Sequence, residues 1–109
     1  NTLEDYDLEI YVHKKMKTTL ENSLEHLLAA VPVLEGIQEW TEENIHTSVM
    51  DLIAKMGIKN GQMLWPIRTA VSGWAVTPGG AIEIAEVLGK DETLRRIHVG
   101  IDRLKAAIG

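Results

Sequence analysis

Residues 55–96 read KMGIKNGQMLWPIRTAVSGWAVTPGGAIEIAEVLGKDETLRR, and the apolar spacing inside this stretch decides the fold. Met63, Leu64, Ile67, Ala70, Val71 and Trp74 recur at steps that keep them on one face of an α-helix. Asn60-Gly61 is a turn pair ahead of that helix, and Gly73 is placed to close it. Thr77-Pro78 then reads as an N-cap followed by a first helical residue, because proline's fixed φ suits that position. The short helix it opens runs through Ile82, Ala85 and Leu88 to a stop at Gly89, with Gly79 and Gly80 leaving its first turn accessible. Asp91 is positioned to cap a last helix, whose apolar residues Leu94, Ile97, Ile101, Leu104 and Ile108 step by 3, 4, 3 and 4.

Toward the N-terminus the same period continues. Thr41 is a good N-cap, and Glu42 and Glu43 suit the positive end of the helix dipole. Ile45, Val49, Leu52, Ile53 and Met56 supply that helix's buried face, and Gly57 its stop. Further back, Leu20, Leu24, Leu27, Leu28, Val31 and Leu34 form an apolar stripe, with Glu21 and Glu25 opposite. Pro32 falls inside the stripe and predicts a kink or an end, since proline donates no hydrogen bond and its ring crowds the preceding turn. No segment alternates with period two long enough for a strand. The expected fold is all-α, a helical bundle or cage of about six helices. Residues 1–37 are a connecting helical segment and 38–109 a C-terminal helical subdomain, in one continuous structural unit.

The whole chain has 109 residues, 45% of them hydrophobic, and no cysteine. That length can bury a core of its own. The lack of cysteine excludes a disulfide frame and a thiolate metal site. No apolar run approaches the roughly 20 residues of a membrane-spanning helix. The acidic start, Asn1 to Asp7, is no targeting peptide. The absence of an initiator Met points to a piece of something longer.

The net charge is −5, but it divides unevenly. Residues 1–50 hold ten acids and three bases, a net −7; residues 51–109 hold six acids and eight bases, a net +2. Overall acidity argues against a nucleic-acid partner, whereas the mildly basic second half does not.

No catalytic constellation is present. His13, His26, His46 and His98 are scattered and have no metal-ligand spacing, so no metal site is expected. The Thr77-Pro78-Gly79-Gly80 run lacks the spacing of a phosphate-wrapping loop. The paired acids sit at helix starts, where the dipole accounts for them. Composition and spacing alone reach only a soluble helical domain.

Four ordered elements go further. They are Trp40-Thr41-Glu42-Glu43-Asn44-Ile45; Gly61-Gln62 followed by Pro66-Ile67-Arg68-x-Ala70-Val71-Ser72-Gly73; Thr77-Pro78-Gly79; and Leu88-Gly89-Lys90-Asp91-Glu92. Upstream, Lys14-Lys15-Met16-Lys17 fits the segment leading into them. Over roughly residues 10–105 the chain resembles the C-terminal anticodon-binding domain of bacterial-type glutamyl-tRNA synthetases. The resemblance implies an ATP-using class I ligase as parent, with ATP and magnesium bound by a catalytic domain. The HIGH- and KMSKS-type motifs of that domain do not occur here, so no cofactor is expected in this segment. It implies tRNA as partner, through the anticodon loop of glutamate tRNA. It further implies a cytoplasmic setting (bacterial, or organellar in a eukaryote), no membrane, and a monomeric fragment. Whether the parent also charges glutamine tRNA stays open.

The resemblance also assigns residues. Arg68 holds the position of the family's anticodon-contacting arginine, and Thr77 and Pro78 that of the turn that meets splayed bases. Gly80 stands where the family often has a bulky apolar residue, a departure that puts any contact from that position in doubt. Elementary chemistry agrees with Arg68, since loop bases are read by stacking and by bonds to their edges, and a guanidinium does both. Trp65 shares a helix side with Arg68 and is either a base platform or core. Trp40 and Trp74 read as core anchors. Arg95, Arg96 and Arg103 are either plain surface charges or contacts to the tRNA backbone. The alternative function is a non-catalytic helical protein-interaction module.

Overall fold

A computed structural model describes residues 8–73 and 80–108. Among them are five α-helices: α1 (Leu20–Glu35), α2 (Glu42–Met56), α3 (Asn60–Ser72), α4 (Ala81–Leu88) and α5 (Lys90–Ile108). A single 3-10 turn, Leu8–Tyr11, and an isolated bridge between His13 and Thr18 complete the regular structure of these residues. The fold of the described residues is all-α, with five α-helices where about six helices were expected for the chain.

Local chemistry accounts for the boundaries. At α1, Thr19 Oγ1 accepts from Asn22 N at 3.1 Å while Asn22 Oδ1 accepts from Thr19 N at 2.8 Å, a reciprocal cap. The helix passes through Pro32 and ends at Gly36, so of the kink or end predicted at Pro32 the end does not occur. Pro32 and Leu28, whose carbonyl loses its partner, both lie on the exposed side, where water replaces the missing bond. At α2, Thr41 caps by accepting from Asn44 N at 3.1 Å, and Gly57 ends the helix at φ 67°.

Three predicted boundaries shift. The Asn60-Gly61 turn pair forms the first two residues of α3, because Gln62 Oε1 accepts from Lys59 N at 3.0 Å and closes the first turn there. Helix α4 begins at Ala81 with Gly80 as its N-cap, so the start predicted at Thr77-Pro78 is not where the helix opens. Thr77 and Pro78, like Trp74 and Gly79, lie outside the described residues. Helix α5 begins at Lys90, which makes Asp91 a first-turn acid rather than the cap.

Helix α1 packs on α5, α3 and α2, while α3 also packs on α4 and α5. The core holds Leu27 and Leu34 of α1, Ile45 of α2, Met63 and Val71 of α3, and Ile97 and Leu104 of α5, all at most 1% exposed. Tyr11, also fully buried, plugs it from the N-terminal loop. Each such side chain contributes about 1.5–3 kcal/mol by leaving water.

Polar ties close the bundle. Trp40 Nε1 and Thr93 Oγ1 both donate to Ala85 O at 3.0 Å, joining α4 to α5 and to the loop before α2. Lys90 Nζ donates to Glu35 O at 2.8 Å and Ile37 O at 2.7 Å, a cation on the negative end of α1.

Candidate nucleic-acid interface

The site grows from an irregularity in α3. Pro66 is buried inside the helix and has no N–H for the carbonyl of Gln62, one turn earlier. That carbonyl is taken by another helix: Gln62 O accepts from His26 Nδ1 of α1 at 2.8 Å, with His26 only 3% exposed. A carbonyl only accepts, so Nδ1 carries the proton. His26 is thus a structural histidine that repairs α3 and pins it against α1.

With Met63, Ile67, Ala70 and Val71 turned into the core, α3 presents Trp65 and Arg68 on its other side, both half-buried. The guanidinium carbon of Arg68 lies 4.3 Å from the centroid of the Trp65 ring. Such a contact is worth about 0.5–1 kcal/mol near the surface. The indole is itself held in place. Its Nε1 donates to Ile10 O at 2.8 Å, and the His13 ring sits 4.3 Å from it, tilted by 53°. The result is a rigid aromatic backing for a planar, charged hydrogen-bonding fork.

Trp65, Arg68 and Gly80 meet in one cleft of about 330 Å³, completed by Met16, Gly61, Leu64 and Ala81. Three of the residues singled out in the sequence therefore share one place. Gly80 has φ −82°, and a Cβ there would meet only Glu83 Oε1 at 3.6 Å, so the backbone does not demand glycine. The absent side chain leaves room in the cleft instead.

Arg95 and Arg96 lie elsewhere, on α5. Arg95 bonds both oxygens of Glu92, at 2.8 and 2.7 Å. Arg96 donates to Glu92 Oε2 at 2.7 Å and to Val71 O at 2.6 Å, with its side chain only 15% exposed. The hydrogen bonds from Arg95 and then Arg96 hold the Glu92 carboxyl well below the usual range, at about 2. Both arginines are engaged in organising their own helix.

Sequence reasoning missed the N-terminal loop. Ile10, His13 and Met16 contribute to the cleft or its backing, yet they precede α3 by some fifty residues, and no local period marks them. The lysine run around Met16 was the available signal. Among the described residues, no group of three or more His, Asp or Glu side chains is arranged to hold a metal ion. No helix among them is long and apolar enough to cross a membrane.

The chain is 60% identical over 106 residues to the glutamate–tRNA ligase of Clostridium tetani, a match covering 97% of the chain and 22% of that protein. It is 58% identical over 106 residues to that of Clostridium botulinum strain Hall and 53% over 105 residues to that of Clostridium acetobutylicum, again over 22% of each. The chain thus spans about a fifth of the length of the relatives it matches. The family model described as the anticodon binding domain matches residues 1–101. A half-buried arginine stacked on a fixed indole lines an open cleft in this chain, and on the strength of the family match the chain belongs to the anticodon-binding domain family.

Proposed function

We propose that this chain reads the anticodon loop of glutamate tRNA as part of a glutamate–tRNA ligase. The observation that carries the reading is Arg68 stacked on Trp65 in the cleft that Gly80 also lines. In this reading Arg68 donates to the edge of an unpaired base and stacks beneath it, while Trp65 keeps the guanidinium plane in register. Thr77 and Pro78 keep the roles the family resemblance gives them. Arg95 would meet a backbone phosphate only by giving up its bonds to Glu92. Arg96 is assigned to holding α5 against α3, because its donors already serve Glu92 and Val71.

Activation of glutamate with ATP and magnesium is assigned to the part of such a ligase that these 109 residues do not cover. The setting is the cytoplasm, and the domain acts as a monomer on its tRNA.

The experiment is a titration of the chain at low salt with the anticodon stem-loop of glutamate tRNA and with the same stem-loop carrying another anticodon, followed by amide shifts. Preference for the matched loop, with shifts around Trp65 and Arg68, is the expected result. Absence of binding to either loop overturns the reading. A helical protein-interaction module would leave the Trp65 and Arg68 amides unmoved.

A further inference from the structure

We propose that the Lys14–Lys17 loop and Lys59 form a track for the RNA sugar–phosphate backbone, which delivers a base to the Trp65–Arg68 cleft from one side only. The inference rests on the anticodon-reading role and adds where the strand runs.

The cleft has two unlike neighbours. Through Met16 and Gly61 it adjoins a groove of about 340 Å³ whose other lining residues are Lys15, Lys17 and Lys59. Through Leu64, Gly80 and Ala81 it adjoins a hollow of about 520 Å³ that carries Glu42, Glu43 and Glu83. One rim is cationic and the other anionic. A polyanion crossing the cleft is drawn to the first and repelled by the second.

The lysine rim is built by the fold. Lys14, Lys15 and Lys17 are the only bases in the first 50 residues, a segment of net −7, and no acid lies between residues 10 and 20. Tight bonds shape the loop: Thr18 N to His13 O at 3.2 Å, Thr18 Oγ1 to Tyr11 O at 2.7 Å and Met16 N to His13 Nδ1 at 3.2 Å.

Lys17 has φ 57°, a left-handed conformation that a residue with a side chain adopts only at a cost. Its carbonyl is held there by Asn22 Nδ2 of α1 at 2.9 Å and Gln62 Nε2 of α3 at 3.4 Å. Met16 lies so close over Gly61 that a Cβ there would collide with Met16 Sδ. The loop is therefore docked on the first turn of α3, beside Lys59 at its N-cap, where the helix dipole adds positive potential.

All four lysines are exposed, and none forms an ion pair with a carboxylate among the described residues. Arg95 and Arg96, by contrast, are both paired with Glu92.

The test compares the wild-type chain with K15Q/K17Q/K59Q, binding matched and swapped anticodon stem-loops across about 50 to about 200 mM salt. Each lysine removed from a phosphate contact lowers the slope of log affinity against log salt by about 0.7–0.9. The triple variant should therefore lose about 2.1–2.7 units of slope. It should weaken both RNAs by the same factor, because phosphate contacts carry no sequence information. The control K55Q/K105Q, which removes exposed lysines elsewhere, should leave the slope unchanged. Arg68→Ala should instead erase the preference between the two RNAs.

An unchanged slope in the triple variant, or an equal loss per charge in the control, overturns the track while leaving the anticodon reading in place. Binding by wild type to neither RNA overturns both. Should the triple variant fail to melt cooperatively, K15Q and K59Q singly decide the matter, each expected to lower the slope by just under one unit.

Discussion

Helices α3 and α5 pack against each other, but their polar groups end in different places. In α5 the charges serve the helix. Asp91 and Glu92 occupy its first turn and Lys105 its last, Glu92 collects Arg95 and Arg96, and the apolar seam is buried at Ile97, Ile101 and Leu104 while Ile108 is exposed. Helix α3 has no acid in its first turn and no base in its last, carries a lysine at its N-cap, and holds a buried proline. Those departures surround the cleft. Rules broken in one place and obeyed next door are what a binding site on α3, as proposed above, would produce.

The contrast predicts which substitutions unfold the chain and which only blunt it. The largest effect is expected at Leu104 of α5, fully buried in the seam. Leu104→Ala should lower unfolding free energy by about 2–5 kcal/mol in a urea titration, through lost burial and a cavity. It should leave RNA affinity per folded molecule unchanged, and a loss well below that range would break the contrast.

Arg68→Ala in α3 should do the reverse. It should weaken RNA binding by about 1–3 kcal/mol, as loss of a charged hydrogen bond, when measured by titration. Its melting temperature should barely move, and Arg68→Lys should not restore affinity, since an ammonium lacks the planar fork. If Arg68→Ala destabilises the fold as much as it weakens binding, the arginine belongs with α5's structural charges.

A subtler effect concerns the repaired carbonyl. His26→Ala strands Gln62 O, whereas in a Pro66→Ala background the new N–H of residue 66 takes that carbonyl back. A double-mutant cycle should therefore show coupling of about 1 kcal/mol, the net worth of one hydrogen bond. Strict additivity would mean that the imidazole bond contributes nothing.

The smallest effect is acid sensitivity at Glu92, which is solvent-screened. Its folded pKa, about 2, lies below its ordinary value of 4.5, so its contribution is complete above 4.5 and disappears as pH falls toward 2. Glu92→Gln should flatten the melting temperature within that window and leave the rest of the profile alone. An unchanged acid limb would remove Glu92 from the account.

Much of this was legible in the chain. Helix α2 was plain because Thr41, Gly57 and five periodic apolar residues agree with one another, and α5 because its seam is uninterrupted. The Trp65–Arg68 pair was visible because residues three apart share a helix face. The end offered at Pro32 was not taken, since on a solvated face the proline leaves only an exposed carbonyl without its helical partner. The start of α4 was misplaced because a threonine-proline pair outweighed Gly80, whose N–H is met by Glu83 Oε1 at 3.4 Å. What escaped was contact between residues distant in sequence: Ile10 with Trp65, Lys17 with Gln62, and His26 with Gln62. Nothing local announces that an orphaned carbonyl on one helix will find an imidazole on another.

The bond from Lys90 to the end of α1 bears on how the chain is made. Glu35 and Ile37 leave the ribosome more than fifty residues before the ammonium that caps them. Until Lys90–Ile108 follows, α1 lacks one of the helices it packs on and has no counter-charge at its negative end. During synthesis α1 therefore waits, with its apolar stripe only partly covered, for α5 to arrive. That interval is when a growing chain is most exposed to aggregation or to a chaperone.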